Sequence, residues 1–184
     1  NTNGTHYPEG AIEVWKHFKT VEIAFSIDDV GERFEYQRTG AKWAEVCENI
    51  SKFQKLRVGY PCIKLQCCTT VNVFNVRYLA DVSAWIASNN TWDFVYWNMM
   101  HDAWYFSIAT LPDSAKQAIA EYLDSATTVH RSDFDRIRDF MNAGASTDGF
   151  MTSIKIADLD RKRGQDLRTV APELAALLNY GGPD

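Results

Sequence analysis

Apolar and polar positions alternate with a period of two over residues 21–28, setting Val21, Ile23, Phe25 and Ile27 against Glu22, Ala24, Ser26 and Asp28. That period predicts a strand with one apolar and one polar face. It runs into the carboxylate pair Asp28-Asp29 and then Gly31, with Glu35 and Arg38 in the loop just beyond. The same alternation over 63–73 separates Leu65, Cys67, Thr69 and Val71 from Gln66, Cys68, Thr70 and Asn72, and a third strand at 92–99 adds Tyr96 and Asn98. Between the strands the period changes to that of a helix. A short helix is predicted over 9–18 and a longer one over 41–56, with Trp43, Val46, Cys47, Ile50 and Phe53 on one stripe. Another follows the candidate cap Asn75, through Val76, Leu79, Ala80, Ser83, Ile86 and Ala87, and ends at Asn89-Asn90. A polar, aromatic loop then leads to Pro112, and helices are predicted at 113–123, 132–141, 147–159 and 172–178, before a frayed tail at 181–183.

Strand and helix in alternation imply right-handed crossovers and a parallel sheet. The expected fold is therefore α/β, a partial parallel (β/α) TIM-like barrel over residues 1–125 followed by a helical extension over 126–184. Asn1-Thr2-Asn3-Gly4-Thr5 reads as the end of a further strand, reduced here to a stub, as expected for the carboxyl-terminal part of a longer protein. If the apolar alternates face the helices, the polar ones share the opposite face, and Asp28, Asn72 and Asn98 are expected to converge in one cleft at the carboxyl ends of the strands. Asp28 reads equally as a cap of the following turn, and Asn72 and Asn75 suit turn and cap chemistry. Arg38 suits a surface ion pair or a ligand clamp. His101-Asp102 follows the third strand at the same end, where a histidine can meet substrate or shuttle a proton.

Composition narrows the classes. The 184 residues are 46% hydrophobic and 23% charged, ordinary for one globular domain, and the net charge of -5 argues against a nucleic-acid partner. Arg161-Lys162-Arg163 reads as the solvated face of a helix. No apolar run is long enough to span a membrane and no leader pattern opens the chain, so a cytoplasmic location is the expectation. Cys47, Cys62, Cys67 and Cys68 lack metal-ligand spacing, as do His6, His17 and His130, and no metal ligands are assigned. Phosphate-loop, dinucleotide and serine-hydrolase motifs are absent. The aromatic cluster of Trp92, Phe94, Tyr96, Trp97, Trp104, Tyr105 and Phe106 suits stacking on a base or sugar, core packing or a peptide groove.

In order, Asn1-Thr2-Asn3-Gly4-Thr5, Ser26-Ile27-Asp28-Asp29 with Glu35 and Arg38 beyond it, and Thr70-Val71-Asn72-Val73-Phe74-Asn75 resemble the second half of a radical SAM barrel, most closely the SPASM/twitch group. The likeness covers about residues 1–125. It implies a partial barrel that binds S-adenosylmethionine and a 4Fe-4S cluster, cleaves the sulfonium reductively, and abstracts hydrogen from a peptide or small-molecule substrate. Thr2 and Asn3 would lie near the ribose, Ser26, Asp28 and Arg38 near the nucleoside, the methionine moiety or the substrate, and Asn72 near the adenine. Asp28 is then the catalytic candidate, with Asn98 and His101 as substrate contacts. The family's C-x-x-x-C-x-x-C loop and G-G-E-like strand are not in this chain, so the cluster ligands are expected in an N-terminal half of the same protein, its first partner. Two other readings stand beside this one: a cofactor-free α/β interaction domain that binds a partner through the aromatic loop after Met99, and a small hydrolase-like enzyme using Asp28 and His101.

Overall fold

Three parallel strands form an open sheet in the order β1 (Val21–Ser26), β2 (Ile63–Val71), β3 (Phe94–Met99). The computed structural model describes residues 1–89 and 91–183, so the predicted helix end at Asn90 lies outside the described residues. Alongside the free edge of β1, Thr2 forms a parallel bridge to Phe25: its N–H donates to Ala24 O (2.8 Å) and its carbonyl accepts from Ser26 N–H (2.9 Å). Strands thus follow one another in space in the order they occur in the chain.

The connections are mostly helical. After a 3-10 turn at Glu9–Ala11, the helix expected over 9–18 is only one turn, α1 (Ile12–Trp15). The loop expected after β1 is instead helix α2 (Gly31–Gln37), so Glu35 is helical and Arg38 caps its end. Then come α3 (Trp43–Gly59), a 3-10 turn at Val76–Tyr78 with α4 (Leu79–Ser88), and, after β3, two 3-10 turns (Trp104–Phe106 and Ile108–Thr110) and α5 (Asp113–Ser125). The rest of the described chain is α6 (Arg131–Ala143), α7 (Phe150–Arg163), α8 (Leu167–Val170) and α9 (Pro172–Leu177). Asn75 does not cap the helix it precedes; its amide is used in the site described below.

One apolar cluster runs from Ile23, Phe25, Leu65, Cys67 and Trp97 through Val46 and Ile50 of α3 and Leu79 and Val82 of α4 to Ile137, Ile156 and Leu174. The carboxyl-terminal helices therefore share the core of the sheet, which they contact through residues far apart in sequence. Burial of these side chains supplies the main stabilisation, about 1.5–3 kcal/mol for each large aliphatic or aromatic group.

Among the described residues, helices cover one face of the sheet. On β2, Ile63, Leu65, Cys67, Thr69 and Val71 are buried, whereas Lys64, Gln66, Cys68 and Thr70 are partly open. Glu22, Phe94, Tyr96 and Asn98 on the flanking strands are exposed, the two aromatic rings stacking with centroids 6.3 Å apart. Parallel sheets are ordinarily covered on both faces. Here one face is a polar and aromatic surface, with Ala24 its buried exception.

Gly4 shows why the stub tolerates little change. Its φ is +78°, and a Cβ there would lie 2.9 Å from Val46 Cγ1 of α3. Asn49, one turn further along the same helix, also holds the turn, donating through Nδ2 to Gly4 O at 2.9 Å.

Candidate functional site

At the carboxyl ends of β1 and β2 the chain builds a polar network from residues close in space and far apart in sequence. Asp28, 9% exposed, accepts the Thr70 N–H at Oδ1 (2.9 Å) and pairs through Oδ2 with Arg38 Nη2 at 2.5 Å. Its carbonyl accepts Asn75 Nδ2 (2.7 Å), which also reaches Thr70 O (2.9 Å). Asn75 Oδ1 accepts the Asn72 N–H, and Asn72 Oδ1 accepts the Phe74 N–H, so these two asparagines close the turn after β2. Asn72 Nδ2 donates to Thr70 O (3.0 Å) and Gln37 Oε1 (3.3 Å).

Gln37 links this cluster to a second carboxylate. Its Nε2 donates to Asp29 Oδ2 (3.3 Å), while Asp29 Oδ1 accepts from Val30 N–H and from Arg33 Nε at 3.0 Å. Asp29 is wholly buried, and burial pushes its carboxyl up to about 7, against the pull of Arg33 and the Val30 N–H. Asp29, Arg33 and Gln37 recur every four residues, a helix-face spacing present in the sequence and missed because 31–37 read as a loop.

Arg38 stands between two hollows. One, of about 290 Å3, is lined by Asp28, Arg38 and Asn72 from the strand ends, Phe74, Met100 and Phe106 from the following loops, Tyr36 and Gln37 of α2, and Leu159 and Arg163 of α7. The other, shallower and about 470 Å3, brings Arg38 and Gln37 together with Asn3 and Thr5 of the stub. Arg38 spends Nη2 on Asp28, and its buried Nε–H has no partner among the described residues. A buried donor left unmatched costs roughly 1–3 kcal/mol.

Helix α7 is held over the first hollow by a buried carboxylate. Asp160, with no exposure, accepts from Tyr36 OH at Oδ1 and from Tyr180 OH and Leu167 N–H at Oδ2, each at 2.8 Å. Burial first, and the Asp160 carboxylate second, push both phenols far above their ordinary range, so they remain donors. None of this was visible from sequence, since Tyr36 and Asp160 are 124 residues apart.

The other expected site residues are dispersed. Asn98 does not join Asp28 and Asn72 in the hollow: the register sets it opposite Thr70, two strands from Asp28, and the position level with Asn72 is Met100. Ser26 lies on the open face beside Cys68, with which it is in register. Thr2 borders a separate hollow with Trp15, Ile23 and Phe53, its Oγ1 accepting the Gly4 N–H. His101 is exposed, edge-on to Phe140 at 5.3 Å, and no hydrogen bond joins it to Asp28 among the described residues. The Asp28-His101 pairing of a hydrolase is thus not assembled.

Among the described residues no three of His, Cys, Asp and Glu gather as metal ligands. Cys67 is fully buried, and burial pushes its thiol far up, away from the thiolate a metal requires; Cys68 and Cys47 are shifted the same way. Among the described residues the cysteines do not gather into a set of three that a cluster would need. Among the described residues no helix is long and apolar enough to cross a membrane. No family model, curated protein or solved structure matches the chain.

Proposed function

We propose that this chain is the carboxyl-terminal half of a radical SAM barrel and forms one wall of a pocket for S-adenosylmethionine and a substrate. The observation that carries the reading is the uncovered polar face of a parallel sheet whose strands follow chain order, with Asp28, Arg38 and Asn72 gathered at its carboxyl end. A (β/α) barrel keeps its chemistry at that end. An open face with half-exposed Phe94 and Tyr96 (48% and 43%) is what a barrel wall presents when its opposite half is removed.

The Arg38 guanidinium and Asn3, which line one hollow, fit a ligand that carries a carboxylate and hydroxyls. The chemistry S-adenosylmethionine supplies in such enzymes is hydrogen abstraction by a 5′-deoxyadenosyl group. Arg38 would orient the cofactor's polar groups, Asp28 would hold Arg38 in place and face the substrate side, and Asn72, its amide spent on closing the turn after β2, would set the wall against which a base lies. The cluster's ligands belong to the complementary half, and this chain's cysteines take no part.

The test is anaerobic reconstitution with iron and sulfide, followed by assay of 5′-deoxyadenosine, on this chain and on the product of its gene read upstream. The longer product is expected to cleave S-adenosylmethionine and this chain alone is not. A longer product without the three-cysteine loop, or without cleavage, overturns the reading. A second reading, an interaction domain docking through its aromatic loop, is favoured by Trp104, 52% exposed at the loop tip after Ala103 with φ 51°.

A further inference from the structure

The hollow between the strand ends and α7 has a chemical character of its own. Asp28 and Arg38 neutralise each other within it, leaving Arg163 as its remaining charged lining residue. Arg163 lies at the mouth, exposed, and makes no ion pair with a carboxylate among the described residues; its Nη1 reaches only the Tyr36 carbonyl, at a long 3.4 Å. Facing it is an aromatic wall: Phe74 packs against Phe106 with ring centroids at 4.8 Å and against Tyr36 at 5.8 Å, and Met100 and Leu159 complete the apolar lining.

We infer that this hollow binds an aromatic carboxylate, its ring against Phe74 and Phe106 and its carboxylate on Arg163. This rests on reading the hollow as the substrate side of the pocket, and it names the substrate class: an aromatic amino acid or a peptide ending in one. A guanidinium held at the rim of an apolar hollow recognises a carboxylate by paired N–H donors, while the ring buries apolar area that water otherwise covers. The aliphatic stem of Arg163 extends the apolar wall and adds contact with the ring. Asp28, which also lines the hollow, then meets backbone or side-chain polar groups of the ligand. The carboxyl-terminal helices acquire a role: α7 carries both Leu159 and Arg163 to the site, and Asp160 between them fixes the helix to Tyr36 and Tyr180.

The probes are N-acetyl-phenylalanine and N-acetyl-phenylalaninamide, titrated into this 184-residue chain and followed by the amide NMR shifts of residues lining the hollow. The carboxylate is expected to bind about three- to fivefold more tightly than the amide, and R163Q is expected to bring the two probes to about equal affinity. K162Q, on the same helix and paired with Asp158, is expected to leave the preference unchanged. Equal affinity for the two probes, absence of binding by both, or a preference that survives R163Q would overturn the inference. Because these titrations need neither cluster nor S-adenosylmethionine, their failure is separate from failure of the deoxyadenosine assay.

Discussion

Replacing Asp160 by alanine is expected to be among the most damaging single changes in this chain. The carboxylate accepts three hydrogen bonds at 2.8 Å, from Tyr36 OH, Tyr180 OH and Leu167 N–H, and water does not reach it in the folded state. Its removal strands three buried donors at roughly 1–3 kcal/mol each, part of which rehydration through the cavity beside Tyr36 would restore. A net loss of about 4 kcal/mol follows, a large share of the 5–15 kcal/mol typical of a domain. With a urea dependence near 2 kcal/mol/M, the unfolding midpoint by circular dichroism should fall by about 2 M. D160N, which keeps one acceptor oxygen, should cost about half as much, and Y36F or Y180F about 1 kcal/mol each. The phenol variants should cost little when added to D160A, because their partner is then already gone. A D160A midpoint within about 0.5 M of the parent would refute the argument that this carboxylate anchors α7.

Asp29 predicts a pH dependence. Its carboxyl is held up to about 7 in the fold and near 4 in the unfolded chain, so the protonated form is favoured by folding. Its contribution is complete below pH about 4 and is lost as pH rises through about 7, on the order of 4 kcal/mol in all. D29N should flatten that part of the stability curve in urea titrations between pH 4 and 8, and an unchanged slope would assign the dependence elsewhere. G4A should lose about 1–3 kcal/mol in thermal or urea unfolding, since it combines a φ of +78° with a Cβ 2.9 Å from Val46 Cγ1. A G4A variant as stable as the parent would mean the stub is not packed against α3.

Strands were legible because period-two alternation survives intact in β2 and, Ala24 aside, in β1: Ile23, Phe25, Leu65 and Cys67 are buried, Glu22 is exposed, and Gln66 and Cys68 are partly open. Parallel pairing followed from the helices between them. Helix α2 was not legible, because it is seven residues long and its charges resemble a loop, although the Asp29, Arg33, Gln37 spacing marks one face. The pairing of Asp28 with Asn72 in one hollow could be anticipated from alternation, but the exclusion of Asn98 could not. Register depends on where each strand enters the sheet, and here it matches Asn98 to Thr70. Contacts such as Tyr36 with Asp160 depend on how helices return to the sheet, which local pattern does not encode. The wall that α7 adds to the site was therefore absent from the sequence reading.

The central claim, a half-barrel that walls a radical SAM pocket through Asp28, is tested most directly by 5′-deoxyadenosine formation in the anaerobically reconstituted product of the gene read upstream, with and without D28A. The account predicts cleavage of S-adenosylmethionine by that product, a loss of about tenfold or more on D28A, and none by this chain alone. No cleavage by the longer product, or full cleavage by its D28A variant, would contradict it.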